Sequence, residues 1–176
     1  MDNDETRTVR LTVEVQDCGI AHLLDKNPGG YGDTPAQSIG FIEVEQGCVN
    51  LHITHQWGPA NFTVTVADQD PGAALAAYED IMEIGFVSMS GEVEMTGFTF
   101  DEAVMCPVPC LPAGPGTYRI RYHVKGMDLE GAEDAGDDHY LQIWPAPLAD
   151  PMVVKSTSVA SEYFRDPEKY QRDHGL

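Results

Sequence analysis

The chain has 176 residues and a formal net charge of −19, from 29 acidic and 10 basic side chains. This length favours a single domain with a substantial core. So negative a protein repels phosphate groups, which excludes the usual modes of binding to nucleic acids and to anionic membranes. The sequence therefore predicts a cationic protein partner, with no nucleic acid and no membrane.

The N-terminal residues are acidic and polar, unlike a signal peptide, and no apolar run reaches the length of about 18 residues that a membrane helix needs. We therefore expect a cytoplasmic protein whose four cysteines are thiols. Cys106 and Cys110 are the closest pair, but the residues between them include two prolines and their spacing does not match a zinc site. We expect no cofactor.

Lys and Arg are absent from the middle of the chain. None occurs between Asn27 and Tyr118, whereas acidic residues are spread through the same stretch. They are Asp33, Glu43, Glu45, Asp68, Asp70, Glu79, Asp80, Glu83, Glu92, Glu94, Asp101 and Glu102. Such an imbalance attracts a cationic partner, although a high net charge also serves solubility alone.

The first part of the chain consists of short runs in which apolar and polar residues alternate, a pattern typical of β-strands. The runs cover residues 8–16, 38–45, 48–57 and 61–67. The Gly- and Pro-rich loop 27–37 is long enough to line a site. Strands that recur about every ten residues indicate a sandwich or a barrel.

One short helix is predicted inside the domain, at residues 73–78. Asp70 can cap this helix, and Pro71 fits its first position. Strand patterns resume at residues 81–89 and 92–98.

The clearest strand pattern follows the Pro- and Gly-rich segment that ends at Gly116. One face of this strand is apolar and the other is cationic. The apolar set is Tyr118, Ile120, Tyr122 and Val124, and the cationic set is Arg119, Arg121 and His123. Cross-strand carboxylates such as Glu92 or Glu94 would neutralise the cationic set. Alternatively, this face binds a ligand, with Trp57 and Trp144 as stacking surfaces.

An acidic loop at residues 126–138 leads to the last core strand, and residues 152–157 add an edge strand. The tail is charged and aromatic, and Asp166 can cap one of its short helical turns. The sequence thus predicts an all-β fold, a two-sheet antiparallel, jelly-roll-like β-sandwich with one short helix. We expect residues 1–157 to form this single domain and residues 158–176 to form a C-terminal tail.

His52 and His55 are the candidates for metal ligands. In a regular strand, residues three positions apart point to opposite faces, so both could hold one ion only across a bulge. The cupin metal motif has two histidines one residue apart followed by Glu, whereas Gln56 follows His55 here. We therefore expect no metal site. No specific nucleophile motif indicates an enzyme either.

Residues 98–147 combine several features that resemble a known group of proteins. A Leu-Pro-x-Gly turn at Leu111 precedes the run Tyr118-Arg-Ile-Arg-Tyr-His, and the strand after the acidic loop ends Tyr140-Leu-Gln-Ile-Trp-Pro-Ala-Pro147. This arrangement resembles small bacterial β-sandwich proteins and, more distantly, is similar to competence protein J, an acidic nuclease inhibitor. The resemblance implies an all-β sandwich with an inhibitor-like, protein-binding role, and it carries over no catalytic residues.

Three functions are compatible with the sequence, and we favour the first. It is a non-enzymatic acidic protein that restrains or escorts a cationic protein, such as a nuclease or toxin, in an inhibitor or immunity-like role. Its steering edge would be the acidic set Asp128, Glu130, Glu133, Asp134, Asp137 and Asp138. The second is a small-molecule or carbohydrate-binding sandwich that uses the 27–37 loop, His123 and the two tryptophans. The third is a metal-dependent cupin-like enzyme that uses His52 or His55.

Overall fold

The structure, a computed structural model, describes residues 6–16, 19–27, 36–45, 47–54, 56–97, 104–128 and 138–175. These residues form twelve strands and two helices. The strands are β1 (Arg7–Gln16), β2 (Ile20–Asp25), β3 (Gln37–Ile39), β4 (Ile42–Glu45), β5 (Cys48–His52), β6 (Trp57–Val66), β7 (Asp80–Ser88), β8 (Val93–Thr96), β9 (Cys106–Pro107), β10 (Gly116–Lys125), β11 (Asp138–Pro145) and β12 (Met152–Lys155). The helices are α1 (Val159–Arg165) and α2 (Pro167–His174).

The strands form two six-stranded sheets. The first sheet has the order β1-β6-β11-β10-β7-β12, and the second has the order β3-β4-β5-β2-β8-β9. Neighbouring strands are antiparallel, except that β6 and β11 are parallel. This arrangement confirms the predicted all-β sandwich.

The core lies between the two sheets and is made by the alternation of each strand. All four apolar side chains of β10 are buried, and so are the inward residues of β2 and β5 in the opposite sheet. Fully burying an aliphatic side chain such as Ile120 or Val124 stabilises the fold by about 1.5–3 kcal/mol. The strand pattern of β10 therefore predicted its inner face correctly.

Residues 38–45 form a hairpin of β3 and β4 rather than a single strand. The chain turns at Gly40, which has the left-handed φ of 55°. A side chain there would also collide with Met82, whose sulfur accepts a hydrogen bond from the Phe41 N–H at 3.2 Å. Only glycine combines this backbone conformation with so close an approach.

The strand predicted for residues 48–57 ends early, and its last residue opens the next strand. β5 ends at His52, and β6 begins at Trp57 and continues through Pro59. Pro59 pairs with Glu14 of β1, and within the described residues β11 joins the other side of β6 only from Phe62 onward. Proline is tolerated there because it needs no hydrogen-bond donor toward a second neighbour.

No helix forms at residues 73–78, where the sequence predicted one. The segment makes a single turn, closed by a hydrogen bond from the Ala77 N–H to the Ala74 carbonyl. Gly72 has a φ of 80° and donates its N–H to the Asp70 carboxylate. The same carboxylate binds Arg121, so Asp70 anchors a loop instead of capping a helix.

Two buried carboxylates hold backbone turns at the sheet ends. Asp25 accepts hydrogen bonds from the Ser88 hydroxyl at 2.5 Å and from the Met89 N–H at 2.9 Å. Burial alone would raise the pKa of Asp25, but these and neighbouring hydrogen bonds outweigh burial and lower it. Asp80 accepts the N–H groups of Thr157 and Ser158, which fixes the chain just before α1.

The two helices follow the last strand. The hydroxyl of Ser158 accepts the Ser161 N–H at the start of α1, and the Asp166 carboxylate accepts the Lys169 N–H at the start of α2. Each is a standard N-terminal cap. Among the described residues, neither helix has the length and apolar character needed to cross a membrane.

The contact between β1 and the segment after β8 leads to a stability prediction. A Cβ at Gly97 would overlap the backbone carbonyl of Glu14, so Gly97→Ala should lower the free energy of unfolding by about 1–3 kcal/mol. Gly116→Ala is the matched control, because a Cβ added there would meet open space, with no such contact within 4 Å. Urea denaturation of both variants tests this, and equal stabilities would contradict the contact.

Candidate functional site

The two arginines on the cationic face of β10 belong to a buried ion-pair network. Both arginines are buried, with exposed fractions of 6% for Arg119 and 5% for Arg121. They flank the carboxylate of Glu83 on β7, to which the two Nε atoms donate at 3.1 Å and 2.6 Å respectively. Strand register explains the arrangement, since Arg121 lies directly opposite Glu83. The carboxylate is therefore shared between two cations on one neighbouring strand.

The remaining guanidinium nitrogens also have acceptors. Arg121 binds both carboxylate oxygens of Asp70, at 2.8 Å and 3.0 Å, and this hydrogen bonding lowers the pKa of the Asp70 carboxyl. Arg119 donates to the carbonyls of Ala149 and Asp150. With two arginines and two carboxylates, the network is neutral.

The carboxylate partner differs from the ones that the sequence suggested. Glu94 lies on β8, in the opposite sheet, and Glu92 approaches Lys26 at 3.5 Å. β10 instead pairs with β7, and this brings Glu83 to the arginines. Cross-strand neutralisation was the right principle, but the pairing of the strands decided which carboxylate supplies it.

His123 is fully buried beneath the loop that joins β6 to β7. Its Nδ1–H donates to the Tyr140 carbonyl, and its Nε2 accepts the Ala74 N–H, each at 3.2 Å. The rings of Tyr78 and Tyr140 lie 5.2 Å and 4.9 Å from the imidazole. Burial lowers the pKa of His123 to about 4. The imidazole therefore ties the loop to the sheet in its neutral form.

The two tryptophans do not lie together. Trp57 is 63% exposed at the start of β6. Trp144 is buried near the end of β11, with the Arg121 guanidinium 4.6 Å from its ring centre. Because Phe62 pairs with His139 in this parallel register, the tryptophans stand at opposite ends of the sheet, on the order of 30 Å apart. Trp144, but not Trp57, belongs with the arginines.

The described part of the acidic steering edge consists of its two ends. Asp128 accepts the N–H groups of Val159 and Ala160 at 3.1 Å and 2.8 Å, so its carboxylate caps α1. Asp138 lies 3.6 Å from the ammonium group of Lys125. The other predicted members lie outside the described residues: Glu130, Glu133, Asp134 and Asp137.

A groove of about 600 Å³ runs between the sandwich and the C-terminal helices. Its walls are mainly apolar and include Met127, Val159, Tyr163, Phe164 and Tyr170. Val159 and Tyr163 are 52% and 41% exposed. The sequence indicated an aromatic tail but not this groove, because only the docking of α1 against the sheet end creates it.

Of the two histidines considered as metal ligands, His52 is described and His55 is not. The Nε2 of His52 lies 3.4 Å from the Glu43 carboxylate, and its ring packs 4.9 Å from Phe164. Within the described ranges, no three side chains of His, Cys, Asp and Glu are placed to hold one metal ion. Cys106 and Cys110 are both free thiols.

One polar cluster was not anticipated from the sequence. His22, Cys48 and Asn50 meet on the outer face of the second sheet, where the His22 Nδ1 and the Asn50 Oδ1 are 2.8 Å apart. The residues come from two strands, β2 and β5, whose pairing juxtaposes them. No local motif indicates such a cluster, because its members are separated along the chain.

Neither a protein-family model nor a curated protein matches the sequence. Two solved structures share the fold. ComJ from Bacillus subtilis, an inhibitor of the DNA degrading activity of NucA, superposes with a TM-score of 0.54 and 7% identity, over 81% of this chain and 98% of that chain. The protein of crocagin biosynthetic gene J gives a TM-score of 0.55 and 13% identity, over 81% and 99%. At such identities the likeness concerns the fold, and it confirms the distant similarity to competence protein J.

The shared carboxylate of Glu83 leads to a prediction about stability. Glu83→Gln keeps the shape but leaves two buried arginines with one fewer negative charge. Breaking a buried ion pair in this way costs about 3–5 kcal/mol. The matched control is Glu92→Gln, at the exposed pair with Lys26, which should change stability by at most about 1 kcal/mol. Comparable losses in the two variants, measured by urea denaturation, would contradict the role given to Glu83.

The buried imidazole predicts how stability depends on pH. The pKa of His123 is about 4 in the folded protein and about 6.5 when unfolded. Between these values the unfolded chain binds the proton and the folded protein does not, so stability should fall as the pH drops from about 6.5 toward 4. This group alone should cost about 2–3 kcal/mol at a pH near 4.5.

The test compares unfolding free energies of the native protein and His123→Gln across this range. Burial also lowers the pKa of His22. His22 therefore contributes to the pH dependence of stability in both proteins. As the pH drops, the stability of the variant should therefore decline less than that of the native protein. An identical pH dependence in the two proteins would show that His123 is not held neutral by the fold.

Proposed function

We propose that this chain is a non-enzymatic acidic binding protein that restrains or escorts a cationic protein, such as a nuclease or toxin, in an inhibitor or immunity-like role. The observation that carries the proposal is the combination of its fold with its charge. The fold is shared with ComJ, an inhibitor of the DNA degrading activity of NucA. The chain carries a net charge of −19.

The charge supports this class of partner through its effect on encounter. Nucleases bind a polyanion, and surfaces that attract DNA also attract an acidic protein. An acidic inhibitor is therefore drawn to such a surface over distances of about a Debye length, about 8 Å at physiological salt. Complementary charge raises association rates and selects partners more than it adds final affinity.

Contact after encounter needs desolvated side chains as well as charge. Trp57, Val159 and Tyr163 are exposed large apolar side chains, and the last two line the groove beside α1. Aromatic residues of this kind commonly supply the largest share of binding energy at protein interfaces. We propose that this groove and the acidic edge next to Asp128 act together.

The alternative of a small-molecule-binding sandwich has weaker support. The proposed ligand face would use Arg119, Arg121 and His123, but their hydrogen-bonding groups are directed at Glu83 and other internal partners. The groove near α1 has a volume within the range of ligand sites, about 300–1,000 Å³. Its few polar side chains offer little to orient a sugar, so we favour a protein partner.

The first test is a pull-down from the organism's own lysate at low and at high salt, followed by mass spectrometry. A basic nuclease or toxin captured at low salt and released at high salt supports the proposal, and the captured enzyme's activity should fall when the protein is added back. If no basic protein is captured under either condition, or if the captured enzyme keeps its full activity, the proposed function is wrong.

The steering edge makes a separate kinetic prediction. The quadruple variant Glu130→Gln, Glu133→Gln, Asp134→Asn and Asp137→Asn keeps Asp128, whose carboxylate caps α1. We expect its association rate with the captured partner to fall about tenfold or more at low salt, with a smaller change in dissociation. Stopped-flow or surface-based kinetics over a range of salt concentrations measures this.

A matched control separates local steering from total charge. The control variant neutralises four exposed acidic residues that lie away from the groove and from residues 128–138: Glu45, Asp68, Glu92 and Asp150. Both variants have the same net charge, so a specific steering edge predicts a markedly slower association only for the first. Equal association rates for the two variants would remove the special role of residues 130–137 while leaving binding by the whole acidic surface intact.

A further inference from the structure

The second sheet presents a cysteine, a histidine and an asparagine side by side on its outer face. β2 and β5 pair so that His22 lies opposite Asn50 and Leu24 lies opposite Cys48. Cys48 and Asn50 are two residues apart on β5 and therefore share a face. Their neighbours Val49 and Leu51 point the other way and are buried in the core. The backbone register thus fixes the relative positions of the three side chains.

The donor atoms are close enough to share one ion. The Cys48 Sγ lies 3.7 Å from the His22 Nδ1 and 3.3 Å from the Asn50 Oδ1, and the last two atoms are 2.8 Å apart. Zinc binds thiolate sulfur at about 2.3 Å and imidazole nitrogen at about 2.0–2.1 Å, so tetrahedral coordination separates these atoms by about 3.5 Å. The observed separation of sulfur and nitrogen is within about 0.2 Å of this value, whereas the hydrogen-bonded His22 Nδ1 and Asn50 Oδ1 must move apart by about 0.5 Å for both to coordinate.

The electrostatic surroundings favour a cation. No strand residue of the second sheet is Lys or Arg. In the neighbouring strand β4, Glu45 pairs with Cys48 and Glu43 pairs with Asn50, which places both glutamates on the same face as the cluster. A bound cation would therefore meet no nearby positive strand residue, and either carboxylate can approach as an additional ligand.

We propose that Cys48, His22 and Asn50 form a binding site for a thiophilic metal ion of the zinc class. The amide oxygen of Asn50 supplies the third donor, which distinguishes the site from one made of three His, Cys, Asp or Glu side chains. On binding, the thiol proton passes to solvent and the thiolate coordinates the ion. The imidazole proton moves to Nε2, so that Nδ1 can coordinate.

Catalysis by this cysteine is a poorer interpretation of the same cluster. Burial, followed by the charge of Glu45, raises the pKa of the Cys48 thiol to about 11. A nucleophilic cysteine needs the opposite shift, because the thiolate is the reactive form. The His22 Nδ1 and the Cys48 sulfur both face the Asn50 oxygen, so the amide does not hold the far side of the imidazole as an orienting residue would. A metal ion supplies the charge that stabilises this thiolate.

The experiment titrates the chelator-treated, full-length protein with Co²⁺, which reports thiolate coordination by a charge-transfer band in the near ultraviolet, and then with Zn²⁺ in competition. We expect one equivalent of Co²⁺ to generate the band and Zn²⁺ to abolish it. Cys48→Ser should remove the band. His22→Gln should weaken Co²⁺ binding at least about tenfold, since loss of a ligand's supporting partner alone costs 10–100-fold.

Two control variants locate the site. Cys106→Ser combined with Cys110→Ser removes the other described thiols, and His174→Gln removes an exposed histidine of α2. Both controls should keep the band and its affinity. The proposal is wrong if the native protein gives no band at millimolar Co²⁺, if Cys48→Ser retains it, or if the cysteine double variant loses it. Circular dichroism confirms that each variant is folded, and none of these readouts depends on the protein partner proposed above.

Discussion

The arrangement of the loops on the first sheet depends on two arginines that are buried around one carboxylate. Glu83 receives Arg119 and Arg121, and Asp70 completes the neutralisation from the loop that follows β6. Buried charges are tolerated only when they are paired and hydrogen-bonded. The loop at residues 68–79 must therefore lie across the sheet, and the segment after β11 must lie beside it to accept from Arg119. The cationic residues that looked available for a ligand are instead part of the architecture.

Because of this constraint, the face that carries the arginines differs from the two surfaces for which binding is proposed. The loop at residues 68–79 and the segment after β11 cover the arginines on the outer face of the first sheet. The protein partner proposed above would therefore contact other regions, such as the groove beside α1. The outer face of the second sheet has no basic strand residue and carries the cluster of His22, Cys48 and Asn50. The groove is the surface proposed for a protein partner, and the cluster is the separate surface proposed for a metal ion.

Strand positions and facing could be predicted because they depend on local alternation. The inner face of β10 follows directly from its sequence, since a residue's face depends only on its position along the strand. Other local patterns gave wrong predictions where tertiary contacts outweighed the local preference. Asp70 and Pro71 resemble a helix start, yet Arg121 binds the Asp70 carboxylate and the chain remains a loop. The strand predicted for residues 48–57 is divided before Trp57, because Trp57 and Pro59 pair with β1 and therefore belong to β6.

The sequence by itself determined the all-β class, the strong negative charge and the two faces of β10, because composition and period-two alternation are local properties. Only the tertiary structure decided that Glu83 rather than Glu92 or Glu94 neutralises the arginines, and that His22 meets Cys48. Both outcomes depend on which strands become neighbours and in what register. That choice is made by the packing of the whole core, in which residues distant along the chain compete for the same positions.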